Sequence, residues 1–134
     1  MAVSVIGDAR ASAATIPVVI VEDDDDLRAA IAFSLDVEGM AVAAFKTAEN
    51  LLRARPPQCA CFVIDYWLPG INGLALLSRL RLLGVRAPAL LVTSNPSAFL
   101  RARADAAGAL VIEKPLMGDA IAVAVRSLTD FEAA

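Results

Sequence analysis

No histidine occurs among the 134 residues of this chain. That absence excludes every mechanism that needs an imidazole of its own: serine or cysteine triads, His-ligated zinc and transfer through an internal phosphohistidine. Lysine is scarce too, with Lys46 and Lys114 alone against ten arginines among 12 basic residues. The arginines are scattered and the formal net charge is −3, so no clustered basic surface for nucleic acid is expected. The two cysteines, Cys59 and Cys61, sit in an apolar run and read as buried thiols on one strand face rather than a disulfide or metal pair. The longest uncharged stretch runs from Ala87 to Leu100 and is broken by prolines and polar residues. It falls short of the ~18 apolar residues that a spanning helix needs. The N-terminal text, MAVSVIGDARASAA, lacks the basic start and apolar block of a secretion signal, and the expected address is the cytoplasm.

What is present is a repeated alternation. Residues 1–15 are Ala/Ser-rich without periodicity and read as a loosely held tail. Pro17–Val21, Cys59–Ile64 and Ala89–Thr93 are continuous apolar runs, the pattern of strands buried on both faces. Ala41–Lys46 reads as a weaker strand and Ala109–Glu113 as the fifth strand. Between them lie helical stretches. The first is marked by Leu27, Ile31 and Leu35 and closed by Gly39. The second opens at Thr47 and is stopped by Pro56-Pro57. The third runs from Asn72 to Leu83 before Gly84, the fourth reaches Ala107 before Gly108, and the last covers Asp119–Leu128. Strand-helix alternation of this length predicts one α/β domain, a doubly wound parallel sheet with helices on both faces, over residues 16–130. No output domain is expected after Leu128.

In open α/β sheets a ligand site lies beyond the carboxyl ends of the strands. The residues that follow the strands are therefore the candidates: Glu22 and Asp23, Asp65, Thr93 with Ser94, and Lys114. Glu22 opens a run of five acids. Asp25 and Asp26 suit the first turn of the following helix through its dipole, but Glu22 and Asp23 have no such use. Crowded with Asp65, they call for a hard divalent cation with oxygen ligands, Mg2+. The run lacks the spacing of an EF-hand loop. Asp65 ends the buried strand CFVID and is followed by a Pro-Gly turn; as an oxygen nucleophile it suits acyl-phosphate formation. Mg2+ and Lys114 would neutralise the phosphoryl oxygens, and Thr93 would donate a hydrogen bond.

With those residues assembled, the chain resembles a bacterial two-component response-regulator receiver domain from about Pro17 to Leu128, carried by VVIVEDDDDLR, FVIDYWLPGINGL, LLVTSN and VIEKP. The resemblance implies a flavodoxin-like fold with strand order 2-1-3-4-5. It implies Asp65 as phosphoacceptor, with Asp23, Asp65, the Trp67 main-chain carbonyl and Glu22 (directly or through water) on Mg2+. Thr93 would move to the phosphate, Lys114 would pair with it, and the Lys114–Pro115 bond would be cis. Val111 stands three positions before Lys114, where similar domains often carry an aromatic switch residue, so the usual Thr/aromatic rearrangement is in question. Tyr66 and Trp67 either shield an acyl phosphate or merely cover the loop.

The function so implied is a single-domain regulator, phosphorylated by a sensor histidine kinase and signalling through contact with a downstream protein. It is not an enzyme beyond its own phosphorylation and dephosphorylation. Kinase specificity is expected from Arg28, Ile31 and Leu35 on the first helix. A homodimer or partner face is expected from the fourth helix, fifth strand and fifth helix, with Phe99, Leu100, Arg101, Arg103, Val111, Met117 and Ala120. A phosphate shuttle or sink and a phosphorylation-independent interaction module are the alternatives; the module would keep its function in Asp65→Ala. An aspartate-nucleophile phosphatase fits poorly, because Trp67 stands where its second carboxylate would be.

Overall fold

The computed structural model describes residues 15–54 and 58–133. Five strands alternate with five helices: β1 (Pro17–Val21), α1 (Asp25–Val37), β2 (Ala41–Phe45), α2 (Ala48–Arg53), β3 (Cys61–Asp65), α3 (Gly73–Leu82), β4 (Ala89–Thr93), α4 (Ala98–Ala106), β5 (Ala109–Glu113) and α5 (Ala120–Ala133). The strands form one parallel sheet in the order β2-β1-β3-β4-β5, as the resemblance implies.

The side-chain period of two along each strand divides the core in two. Val19, Val21, Phe62, Ile64, Ala89 and Leu91 face one side, where Leu51 of α2, Leu76, Leu77 and Leu80 of α3 and Ala104 of α4 cover them. Val18, Ile20, Cys61, Val63, Leu90 and Val92 face the other, under Ile31 and Leu35 of α1 and Ile121, Ala122 and Val125 of α5. Both faces of the central strands are thus dry, which is why they read as unbroken apolar runs. The edge strand β2 is Ala-rich and partly open.

The helix boundaries follow from side-chain caps. Asp24, Thr47, Asn72 and Ser97 each accept the N–H three residues on, satisfying donors that the first turn leaves free. At the end of α3, Gly84 adopts φ +86, which lets the Val85 N–H reach the Leu80 carbonyl and the Gly84 N–H that of Arg81.

Several expectations need correction. β3 begins at Cys61, so the two cysteines do not share a strand face. Cys59 packs at the margin of the core under α2–α4, whereas Cys61 belongs to the α1/α5 core. Both thiols are unpaired, and burial pushes Cys59 up to about 11 and Cys61 up to about 12, so they are inert at neutral pH. The last helix continues past Leu128 to Ala133, since no glycine or proline follows Gly118 to stop it. Ile31 and Leu35 are core residues and Arg28 is turned inward, so none of the three is a free docking side chain. The exposed large apolar residues of α1 are Phe33 and Val37. Leu100 is likewise buried and drops out of the face proposed for α4, β5 and α5. The expected stop at Pro56-Pro57 and nearly all of the N-terminal tail lie outside the described residues.

Candidate functional site

The carboxyl ends of β1, β3, β4 and β5 bring Glu22, Asp23, Asp65, Thr93 and Lys114 to one edge of the sheet. Asp65 is the last residue of β3, opposite Val92 in the β3–β4 register, and is only 4% exposed. Its backbone is fixed from both sides. The Tyr66 N–H donates to the Val92 carbonyl at 2.9 Å, and the Tyr66 carbonyl accepts from Gly73 N at 2.8 Å and Leu68 N at 3.1 Å. The first residue of α3 sits against this strand end: a Cβ on Gly73 would stand 2.5 Å from the Asp65 carbonyl oxygen. Only glycine fits there. The sequence contained that signal in the loop LPGING, but a close approach cannot be told from an ordinary turn without the fold.

The five-acid run separates by role. Carboxylate oxygens of Glu22, Asp23 and Asp65 lie within 4.8 Å of one another. Asp24 caps α1 and its N–H donates to Glu22 Oε2 at 3.1 Å. Asp25 points away, pairing with Arg28 at 2.8 Å and Lys46 at 3.4 Å, and these hydrogen bonds and charges hold its carboxyl below the usual range.

Lys114 Nζ stands 3.3 Å from Asp65 Oδ1. Its backbone N–H donates to the Thr93 carbonyl at 2.8 Å, which ties the end of β5 to the end of β4. The Lys114–Pro115 peptide is cis. Thr93 is buried, with its hydroxyl donating only a long 3.4 Å bond to the Ser94 carbonyl. Trp67 lies two residues beyond Asp65; the residue is 67% exposed and its ring meets Tyr66 edge-on with ring centroids 4.8 Å apart. The indole therefore does not seal the site. The Trp67 carbonyl, unlike that of Tyr66, accepts no hydrogen bond among the described residues. Val111 is half-buried against the α2–α4 core and offers no ring to swing.

The electrostatics of this edge are unbalanced. Burial pushes Glu22 up to about 7, against the lowering effect of the Asp24 N–H and with the neighbouring Asp65 raising it further. Asp65 is also raised by burial, although Lys114 pulls it down. Asp65 Oδ1 is buried and accepts no aligned hydrogen bond from the protein. Buried acceptors are seldom left open without a functional reason. Three convergent carboxylates, one with a buried oxygen that lacks an aligned hydrogen bond, form an all-oxygen donor set. Such a set fits a small hard cation such as Mg2+, which takes one or two carboxylates and keeps its waters.

Comparison with known proteins agrees with this geometry. Residues 18–126 match the family described as the response regulator receiver domain. The chain is 36% identical over 115 residues to the transcriptional regulatory protein FixJ of Azorhizobium caulinodans, covering 84% of this chain and 54% of that protein. It is 33% identical over 111 residues to the C4-dicarboxylate transport transcriptional regulatory protein DctD of Pseudomonas aeruginosa, covering 81% of this chain and 24% of that protein. The chain thus spans about half or less of the curated relatives it matches. Among solved structures, a CheY-like response regulator receiver domain protein from Methanospirillum hungatei superposes with a TM-score of 0.80 at 24% identity, over 89% of this chain and 97% of that one, and shows the same fold. Sequence, sheet order and strand-end geometry converge on one assignment: the chain belongs to the response regulator receiver domain family.

Proposed function

We propose that Asp65 accepts a phosphoryl group from a histidine kinase. The observation that carries this reading is the buried, unfilled Oδ1 of Asp65 beside the Lys114 ammonium. An Asp65 carboxylate oxygen attacks the phosphorus of the kinase phosphohistidine; the P–N bond breaks and its electron pair returns to the imidazole, which takes up a proton. The product is an acyl phosphate on Asp65. Glu22, Asp23, Asp65 and the Trp67 carbonyl would hold Mg2+, which supplies charge neutralisation for carboxylates and phosphoryl oxygens. Lys114 neutralises a further phosphoryl oxygen, and the Thr93 hydroxyl, so weakly engaged now, is free to donate to the phosphate. The chain is no enzyme in the turnover sense, because the group that reacts is its own side chain.

A phosphorylated Asp65 places about −1.5 to −2 charges at a strand end. This would re-pair Thr93 and Lys114, and through them the ends of β4 and β5. The surface to receive that change is the α4–β5–α5 face. There Phe99 and Met117 are each 71% exposed, Arg103 stacks over Phe99 at 5.5 Å, and Arg101 pairs with Glu113 at 3.6 Å. A second copy or a downstream protein would dock there. The kinase would meet α1 through Phe33 and Val37, in the cytoplasm. No helix among the described residues is long and apolar enough to cross a membrane.

The test is incubation of the purified chain with Mg2+ and acetyl phosphate, read by intact mass. One phosphoryl group should be gained, and it should be lost in Asp65→Asn and in the presence of a chelator. No gain, or a gain that survives Asp65→Asn, overturns the reading.

A further inference from the structure

The Arg28 guanidinium forks across the turn that carries Glu22 and Asp23. Nη1 donates to the Glu22 carbonyl oxygen at 2.9 Å, and Nη2 donates to Asp25 Oδ1 at 2.8 Å. The side chain is 22% exposed, on the flank of the helix face that buries Ile31 and Leu35. Helix capping does not explain it, since Asp24 already caps α1. On the other side of the turn, the Glu22 N–H donates to the Phe45 carbonyl of β2 at 3.1 Å. Glu22 is therefore gripped at both its peptide groups. The carbonyl held by Arg28 belongs to the rigid planar unit joining Glu22 to Asp23. Its orientation sets where both carboxylates point, in a turn whose carboxylates repel one another.

We propose that Arg28 is a positioning residue for the cation site: by fixing the Glu22–Asp23 peptide plane, it aims both carboxylates at Asp65. This rests on reading Glu22, Asp23 and Asp65 as a Mg2+ site. Groups that orient metal ligands commonly change affinity by about tenfold or more when removed. Charge alone works in the opposite direction, because a guanidinium near a cation site repels the cation and its loss should tighten binding. The sign of the change therefore separates positioning from electrostatics. Lys46 supplies the control. It carries the same charge and meets the same Asp25 carboxylate at 3.4 Å, but the structure gives it no bond to the Glu22 carbonyl.

The experiment is a Mg2+ titration of the full chain followed in its 1H–15N spectrum, with thermal unfolding of each variant alongside. The native chain should titrate to saturation. Arg28→Ala should bind Mg2+ about tenfold more weakly. Arg28→Gln, which keeps a donor for the carbonyl without the charge, should recover part of that loss and also serves if Arg28→Ala does not fold. Lys46→Ala should bind as the native chain does, or more tightly. Arg28→Ala and Arg28→Gln binding as tightly as the native chain would overturn the proposal, as would an equal weakening in Lys46→Ala. If the native chain itself shows no saturable Mg2+ shifts, the metal-site reading fails first and the proposal falls with it.

Discussion

Lys114 Nζ lies 3.3 Å from Asp65 Oδ1, close enough for an ion pair, yet Oδ1 accepts no aligned hydrogen bond. The ammonium steadies the carboxylate without filling its lone pair. Burial raises the Asp65 pKa and Lys114 is the main influence lowering it. Lys114→Met should therefore raise that pKa further, while Lys114→Arg keeps it near the native value. A carbon-13 titration of the Asp65 carboxyl in metal-free protein reads this directly. An unchanged or lower value in Lys114→Met would contradict the ion pair.

Stability should depend on pH with a sign set by Glu22. Its carboxyl is raised from 4.5 unfolded to about 7 folded, so between those values the folded chain binds more protons than the unfolded one. The resulting stabilisation is fully present below about 4.5 and is lost as pH rises through about 7. Metal-free protein should thus lose melting temperature from pH 5.5 to pH 8. Mg2+ competes with those protons, and its stabilising effect should be larger at pH 8. A Mg2+-induced rise in Tm that is as large at pH 5.5 would count against the acidic cluster as the binding site.

Gly73→Ala should destabilise the chain by about 1–3 kcal/mol, the usual cost of forcing an extra carbon into a packed site. The new Cβ would stand 2.5 Å from the Asp65 carbonyl oxygen, against backbone that cannot swing away. Urea unfolding measures the loss, and amide shifts at Asp65 and Tyr66 should report the displaced strand end. A midpoint indistinguishable from native would show that α3 can retreat freely.

Phe33→Glu with Val37→Glu should slow phosphotransfer from the partner kinase while leaving phosphorylation by acetyl phosphate unchanged. Both side chains are about two-thirds exposed, so stability should move by no more than about 0.5 kcal/mol for each. Equal slowing with both donors would place the defect in the site rather than in docking.

The strands were legible because each central one is dry on both faces, and a continuous run such as PVVIV has few other uses. The caps were only partly legible. Thr47 and Asn72 read cleanly as openings, whereas Asp24 stood unremarked inside a run of acids whose members differ only in direction. Helix-face assignments on α1 failed for a related reason. Ile31 and Leu35 mark the helix by the same periodicity that buries them, so they cannot also be contact residues. Phe33, one helical turn from Val37, lies off that stripe.

The order of strands and helices, the apolar cores and the set of strand-end residues follow from local pattern, since strand period and helix period are written residue by residue. The family follows from that set in its order. Which side chains meet was decided by the tertiary structure alone. Parallel pairing brings Glu22, Asp23, Asp65 and Lys114 together from three strand ends. Gly73 is needed only because α3 abuts Asp65, and the Arg28 guanidinium meets the Glu22 carbonyl only once α1 is seated beside the end of β1. The strand-end contacts join residues through pairing of the whole sheet, and the contacts of Gly73 and Arg28, though close in sequence, depend on how each helix seats against its strand.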